Sequence, residues 1–309
     1  MSVSEFALIE LITRGLPQGE QVVVGPGDDC AVLRLRGDLA VSTDAMVEGV
    51  HFRRDWSAPR DIGRKAVASS VADLEADGAR PVGIVIALVL SDAVDEAWVT
   101  ALRDGIREEC ERAGVSLVGG DLSRGPVVVI TCTVLGDLDG RPPVTRAGAR
   151  PGQVVAVRGR LGLAQAGLAV FTRGFRSPAA AVNAHRVPEP PYGQGVVAAL
   201  AGASAMVDVS DGLVADLEHI AAASGVGIDI DAAALPVGEP QQAVAAALGR
   251  SDPLAFVLGG GDDHALAATF APDAVPAGWQ VIGRVTRGDA VTVDGQVWDG
   301  SHGWDHFTS

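Results

Sequence analysis

Residues 22–52 read VVVGPGDDCAVLRLRGDLAVSTDAMVEGVHF, in which an apolar stretch separates two acidic segments. Apolar and β-branched residues predict strands at 31–35 and 39–41. A turn near residues 36–38 would join the two strands as a hairpin. This arrangement would bring the two acidic segments to the same edge of a sheet.

Three carboxylates, those of Asp28, Asp29 and Asp44, would then crowd together beside the hydroxyls of Ser42 and Thr43. Like charges at that separation repel each other unless a cation lies among them. Hard oxygen ligands of this kind suit Mg2+, which binds a few carboxylates together with water and phosphate oxygens. Gly-Asp-Asp is also an ordinary turn sequence, so a plain turn stays open as the alternative.

Composition restricts the class of protein. The 309 residues are 48% apolar and 20% charged, which is typical of a globular protein and long enough for two domains. The net charge of -15 and the few aromatic residues argue against nucleic-acid binding, which needs a basic surface. No apolar run reaches the roughly 20 residues of a membrane span. Residues 1–5 lack the basic region of a signal peptide, so we expect a cytoplasmic protein without a membrane contact.

The few cysteines and lysines restrict the chemistry further. Three cysteines without a Cys-x-x-Cys pair argue against a disulfide framework or a zinc site. Lys65 is the one lysine, and no Gly-Lys-Ser/Thr triplet of a phosphate-binding loop is present. If this acidic chain binds phosphates, it must use metal ions and arginine.

Further acidic positions follow in the first half of the chain. The pattern predicts a helix over 61–76, which carries Asp73, and a strand over 115–118. That strand would run into the glycine-rich sequence containing Gly120 and Asp121. A hairpin turn explains this glycine-rich sequence as well as a phosphate or metal site does.

The second half of the chain repeats the pattern. A predicted strand over 205–209 delivers Asp208, Ser210 and Asp211 to the start of a predicted helix. Helix N-termini attract anions, so a phosphate with its metal could bind there. A Ser or Asp helix cap is the alternative, which explains one of these residues but hardly both aspartates. A further strand, predicted over 254–258, ends in GGGDDH.

Residues 136–150 are rich in Gly, Pro and Arg and predict a domain boundary, with domains at 1–140 and 141–309. Arg146 in this segment could clamp a phosphate, although a surface linker arginine is the alternative. Acidic residues at strand ends in both halves predict one cluster, assembled from both domains, that holds several Mg2+ ions around a polyphosphate.

The chain resembles the thiamine-monophosphate kinase family, within the fold group of aminoimidazole ribonucleotide synthetase. The resemblance spans nearly the whole chain, and its most specific part is Val-Glu-Gly-Val-His-Phe at residues 47–52. It also includes Gly-Asp-Asp at 27–29, Ser-Thr-Asp at 42–44, Asp-Leu at 73–74, Gly-Gly-Asp at 119–121, residues 146–152 and Val-Ser-Asp-Gly at 209–212. The family usually has Gly-Gly-Glu-Asp-Tyr-Glu where this chain has GGDDHA at residues 260–265.

The resemblance implies an α/β fold in two domains, in which the N-terminal sheet pairs across a homodimer. It implies phosphoryl transfer from ATP to thiamine monophosphate, giving thiamine diphosphate with several Mg2+ ions. The implied Mg2+ ligands are Asp28, Ser42, Thr43, Asp44, Asp73, Asp121, Asp208 and Asp211, of which Asp28, Asp44, Asp73, Asp121 and Asp211 would be catalytic. ATP would contact Gly120, Asp121, Arg146 and Ser210, and the thiamine phosphate would contact His51, Asp262 and Trp304.

Three alternatives remain at this point. A selenophosphate synthetase would carry a reactive Cys or Sec in its N-terminal segment, and residues 1–16 contain none. An aminoimidazole ribonucleotide synthetase would share the acidic turns but lack residues 47–52. A non-catalytic cation-binding module would bind metal ions without turning over ATP.

Overall fold

The computed structural model describes residues 5–249, 252–300 and 303. The described residues form two compact units, each with its own sheet. Unit 1 lies within Met1–Leu74 and Ala79–Pro142, and unit 2 within Glu75–Gly78 and Pro143–Ser309. No helix among the residues described is both long and apolar enough to cross a membrane.

Unit 1 combines helices with a two-stranded and a four-stranded sheet. The elements are α1 (Glu5–Thr13), β1 (Val22–Val24), β2 (Val32–Leu33), β3 (Leu39–Val47), α2 (Pro59–Ala76, whose last residues belong to unit 2), β4 (Arg80–Leu90), α3 (Glu96–Ala113), β5 (Ser116–Arg124) and β6 (Val129–Asp137). The larger sheet has the order β3-β6-β4-β5, with β4 and β5 parallel and the other pairs antiparallel.

Unit 2 is built around a seven-stranded sheet of order β13-β12-β9-β11-β7-β10-β8. Its elements are β7 (Val154–Arg158), α4 (Leu163–Thr172), α5 (Ala179–Arg186), α6 (Gln194–Leu200), β8 (Ala205–Val209), α7 (Leu213–Ser224), β9 (Gly227–Ile230), a 3-10 turn (Ala232–Ala234), α8 (Glu239–Ala247), α9 (Leu254–Gly259), β10 (Ala265–Phe270), β11 (Gln280–Thr286), β12 (Val291–Val293) and β13 (Gln296–Val297). All residues of β8 and β10 are buried, and one face of α7 packs into the core with them.

The predicted hairpin at residues 31–41 is wrong. β2 pairs with β1, whereas β3 pairs along its whole length with β6. The reason is a long-range contact: Asp137, at the end of β6, accepts hydrogen bonds from the main-chain nitrogens of Arg36 and Gly37 at 2.9 and 3.0 Å. The turn between β2 and β3 is therefore held by a side chain about one hundred residues away.

Other local predictions also need correction. Residues 119–124 continue β5 as a strand and do not form a turn, because they pair in register with β4. Residues 254–258 form the helix α9 instead of a strand. The sequence pattern also predicts mostly loop over 173–191, but this stretch contains α5. Short apolar runs are compatible with either helix or strand until their packing partners are known.

Candidate functional site

The alternation of β3 places Ser42 and Asp44 on the sheet face that carries α2. The hydroxyl of Ser42 donates to Oδ2 of Asp73 on that helix at 2.5 Å. One turn earlier on α2, the Oγ of Ser69 is buried without a hydrogen-bond partner. Asp44 pairs with Cys132 of β6, and its negative charge acts on the thiol there. The pKa of Cys132 is raised to about 12, mainly by burial and in part by this charge. β3 and α2 thus bring three of the predicted oxygen ligands to one side of the sheet.

Thr43, the residue between them, points to the opposite face of β3. Its hydroxyl lies 3.0 Å from Oγ1 of Thr133 and donates to the carbonyl of Cys132 at 3.2 Å. Asp121 also lies apart, since it is exposed and in register with Ala87 on β4. Because Ala87 pairs through Thr131 with Ala45, Asp121 shares the face of Thr43. The structure therefore does not bring Thr43 and Asp121 together with Asp44.

Asp28 lies in the exposed turn between β1 and β2, where Gly27 has a φ of 119°. Its Oδ1 accepts a hydrogen bond from the main-chain nitrogen of Asp29 at 2.8 Å. The Gly-Asp-Asp sequence thus forms a turn. Across residues 5–249, 252–300 and 303, no group of three His, Cys, Asp or Glu side chains is placed to hold a metal ion.

His51 follows β3 and is fixed by its own main chain. Its Nδ1 accepts a hydrogen bond from the main-chain nitrogen of Val47 at 3.0 Å. A ring whose Nδ1 is an acceptor carries its proton on Nε2. His51 therefore presents an N–H donor through Nε2, which suits a phosphate oxygen.

In unit 2, one carboxylate oxygen organises the junction between β8 and α7. Oδ2 of Asp216 accepts from the main-chain nitrogens of Ser210, Asp211 and Gly212 at 3.0–3.1 Å. Burial raises the pKa of Asp216 to about 7, with further contributions from the charges of Asp208 and Asp211. Sequence reasoning missed Asp216, although an aspartate in the first turn of a helix after a Ser-Asp-Gly sequence is a recognisable signal.

The turn GGGDDH packs directly against this junction. A side chain at Gly261 would lie 2.3 Å from the carbonyl oxygen of Ser210, so only glycine fits there. Asp262 donates its main-chain N–H to that same carbonyl at 2.8 Å. Asp263 is fully buried and caps the start of α4 by accepting from the main-chain nitrogens of Gly162 and Ala164.

One histidine within this turn and one on α5 were given no role by the sequence analysis. Nδ1 of His264 lies 3.0 Å from Oδ2 of Asp208, and both side chains are buried. Nδ1 of His185, on α5, lies 3.8 Å from Oδ2 of Asp262. His185 was missed because its helix was taken for a loop.

Arg146 is exposed and faces the acidic residues of unit 2. The pKa of Asp77 is raised, mainly by burial. The positive charge of Arg146 lowers this pKa in part, and the negative charge of Asp208 raises it further. Arg146 and Asp208 therefore both lie near the same carboxylate. Trp304 is outside the described residues, while its neighbour Gly303 lies against the carbonyl oxygen of Asp211.

Asp216→Asn should remove part of the pH dependence of stability. Because folding raises the pKa of Asp216 from 3.8 to about 7, its contribution is fully present below pH 3.8 and is lost as the pH rises through 7. Asparagine keeps an oxygen for the three N–H groups but cannot ionise. With EDTA present at about pH 8, we expect the variant to melt about 3 °C or more above the wild-type chain, and by less at about pH 5.

Calorimetric melting curves at the two pH values measure this effect. The exposed Asp289→Asn provides the matched control, and its melting temperature should follow that of the wild-type chain. An Asp216→Asn difference that is the same at both pH values would show that the carboxyl does not titrate in this range.

Comparisons with known proteins cover both units. Family models described as the N-terminal and C-terminal domains of AIR synthase related protein match residues 27–138 and 150–296. The chain is 49% identical over 307 residues to the thiamine-monophosphate kinase of Mycobacterium tuberculosis strain H37Rv, which covers 99% of this chain and 92% of that protein.

Solved structures show the same likeness. The crystal structure of thiamine-monophosphate kinase from Stenotrophomonas maltophilia K279a matches with a TM-score of 0.83 and 34% identity, covering 96% of this chain and 99% of that one. A structure described as AaThiL complexed with AMPPCP and TMP matches with a TM-score of 0.80 and 32% identity, covering 99% of each chain. The predicted two-domain α/β fold is confirmed by these matches.

Proposed function

This chain belongs to the thiamine-monophosphate kinase family, and from that premise we propose that it transfers the terminal phosphoryl group of ATP to thiamine monophosphate. The observation that carries the proposal is the 49% identity to a thiamine-monophosphate kinase over 99% of the chain. Membership of this family decides against the two synthetase alternatives. The AMPPCP complex of a 32% identical protein supports ATP as the co-substrate.

The oxygen donors of unit 1 suit Mg2+. Ser42, Asp44 and Asp73 share one side of the sheet, and the orphaned hydroxyl of Ser69 lies one helical turn away. Hydroxyl and carboxylate oxygens are ligands that Mg2+ prefers, and it completes its shell with water and phosphate oxygens. When bound, Mg2+ supplies charge neutralisation at the phosphate oxygens.

We assign the remaining roles from the motif match. The proposed Mg2+ ligands are Asp28, Ser42, Thr43, Asp44, Asp73, Asp121, Asp208 and Asp211. The proposed ATP contacts are Gly120, Asp121, Arg146 and Ser210, and the proposed contacts of thiamine monophosphate are His51, Asp262 and Trp304. Thr43 has its hydroxyl on the other sheet face, so its assignment and that of Asp121 depend most on the match alone.

The acceptor makes a general base unnecessary. A phosphate monoester has a second pKa of about 6 and is already ionised at neutral pH. The chain therefore needs to position two phosphates in line and to balance their charge. Arg146 and the N–H donor of His51 would position the phosphates. The ligand carboxylates would hold the Mg2+ ions, whose positive charge balances that of the phosphates.

His51→Asn should raise the Michaelis constant for thiamine monophosphate by roughly tenfold and lower the turnover number by less. The reason is that His51 donates a hydrogen bond to the bound phosphate and removes no proton from it. Steady-state kinetics with varied thiamine monophosphate measure both constants. A variant that binds the substrate normally but does not turn over would contradict this role.

We also propose a homodimer formed through the N-terminal sheet. The face away from α2 carries rows of neighbouring residues that include Val41 with Leu135 and Val89 with Val129. Val41 is 56% exposed, which leaves apolar surface open on this face. Light scattering should give twice the mass of one chain, and the mass of a single chain would contradict the proposal.

The function itself is tested by ATP consumption. Purified protein with Mg2+ should convert ATP to ADP only when thiamine monophosphate is present, and EDTA should stop the reaction. A protein that binds Mg2+ and ATP but never consumes ATP would instead be the non-catalytic cation-binding module. A cytoplasmic location stays part of the proposal.

A further inference from the structure

The reaction as described above gives no role to His264, which forms a buried pair with Asp208. Nδ1 of His264 lies 3.0 Å from Oδ2 of Asp208, and the two residues are 8% and 5% exposed. A buried carboxylate needs hydrogen-bond partners, since an unpaired one is costly. His264 provides such a partner to a residue proposed as a Mg2+ ligand.

The main chain holds His264 in this position. Its own N–H donates to the carbonyl of Val209 at 2.9 Å, and the N–H of Asp262 donates to the carbonyl of Ser210 at 2.8 Å. Both His264 and Asp262 have positive φ angles, of 54° and 67°. Non-glycine residues adopt this conformation at a cost, so the local structure must favour it. The turn therefore places an imidazole against the last residues of β8.

We propose that His264 is a positioning residue, whose Nδ1–H donates to Oδ2 of Asp208 and thereby directs Oδ1 of Asp208 to the bound cation. Carboxylate ligands of metals are commonly oriented by such hydrogen bonds from residues that do not touch the metal. The inference rests on the proposed function, because it takes Asp208 as a ligand.

The distances from the two ring nitrogens of His264 show which carboxylate it bonds. Oδ1 of Asp262 lies 3.9 Å from Nε2 of His264, beyond hydrogen-bond distance, whereas the bond to Asp208 is within it. His264 is thus engaged with Asp208 through one nitrogen and faces Asp262 with the other. The ring thus lies between a proposed metal ligand and a proposed substrate contact.

The test is Mn2+ binding in the presence of AMPPCP, followed by the electron paramagnetic resonance signal of free Mn2+. His264→Ala should weaken Mn2+ binding about tenfold, since loss of such a partner costs about 10- to 100-fold in metal affinity. His264→Asn should stay within about twofold, because its amide nitrogen replaces Nδ1 and asparagine tolerates a positive φ. His219→Ala, at an exposed histidine of α7, is the matched control and should bind like the wild-type chain.

A double-mutant cycle separates positioning from general damage. If His264 acts through Asp208, then His264→Ala should add nothing to the loss caused by Asp208→Asn. Independent, additive losses would overturn the inference, as would unchanged Mn2+ binding in folded His264→Ala. If the alanine variant does not fold, His264→Gly carries the same test, because glycine accepts the positive φ. A wild-type chain that binds no Mn2+ with AMPPCP would contradict the proposed function as well.

Discussion

Asp73→Asn is expected to lower the turnover number by roughly a hundredfold or more while the protein stays folded. Oδ2 of Asp73 accepts the hydroxyl of Ser42, and the side-chain oxygen of asparagine can still accept that bond. The substitution therefore removes the negative charge and little else. Losing a charge that binds the metal costs several kcal/mol of transition-state stabilisation. Steady-state rates with saturating ATP and thiamine monophosphate measure the loss.

The matched control is Asp61→Asn, which makes the same change in the first turn of the same helix. It should keep most of the activity, because Asp61 is assigned no role in binding. Comparable losses in both variants would show that α2 tolerates no asparagine. A nearly normal rate in Asp73→Asn would contradict the proposal that Asp73 is a metal ligand.

The largest effect on stability is expected for Asp137→Ala, at roughly 3 kcal/mol or more of the free energy of unfolding. Asp137 is fully buried and accepts the main-chain nitrogens of Arg36, Gly37 and Asp139, and its carboxylate lies 3.2 Å from Nη2 of Arg80. Burial alone would raise the pKa of Asp137, but these donors together lower it. Alanine would leave the donors without their acceptor.

Urea unfolding followed by circular dichroism measures this change, with Asp38→Ala as the control in the same turn. Asp38 is exposed, so its replacement should alter the free energy of unfolding by about 0.5 kcal/mol or less. Equal effects in the two variants would show that the turn does not depend on the buried carboxylate.

Asp137 also explains why the opening of the chain was predicted wrongly. Local pattern correctly indicates strands near residues 31–35 and 39–41, and Arg-Gly-Asp between them is a good turn sequence. What the pattern cannot show is that Asp137 holds this turn and that β6 offers nine register positions to β3. Pairing partners depend on contacts distant in sequence, so the hairpin was the local choice and the wrong one.

Long elements with clear start and stop residues were predictable from the sequence. The helix at 61–76 matches α2, and α3 begins after Asp95, whose side chain accepts the N–H of Trp98, and ends at Gly114 with a φ of 66°. The short run 254–258 lacked such signals, so a strand was predicted where the structure has the helix α9.

The candidate site was likewise predictable only in part. The family resemblance implied that Ser42, Asp44 and Asp73 share a function, and the structure brings them to one side of the sheet. The predicted strand ended at residue 41, whereas β3 continues to Val47, and strand alternation places Thr43 on the other face. His264 was missed because its hydrogen bond joins it to Asp208, which is distant in sequence. Asp216 did have a local signal, its place in the first turn of α7, and that signal was overlooked. That the acidic residues of both units serve one polyphosphate stays a prediction.

Product analysis with two acceptors tests the central claim most directly. With ATP and Mg2+, chromatography should show thiamine diphosphate formed from thiamine monophosphate and almost no product from free thiamine. The hydroxyl of thiamine must lose a proton during attack, and hydroxyl kinases position a base for that step, whereas the phosphate acceptor is already ionised. If free thiamine is phosphorylated faster than thiamine monophosphate, the account of this site as a phosphate-to-phosphate kinase is wrong.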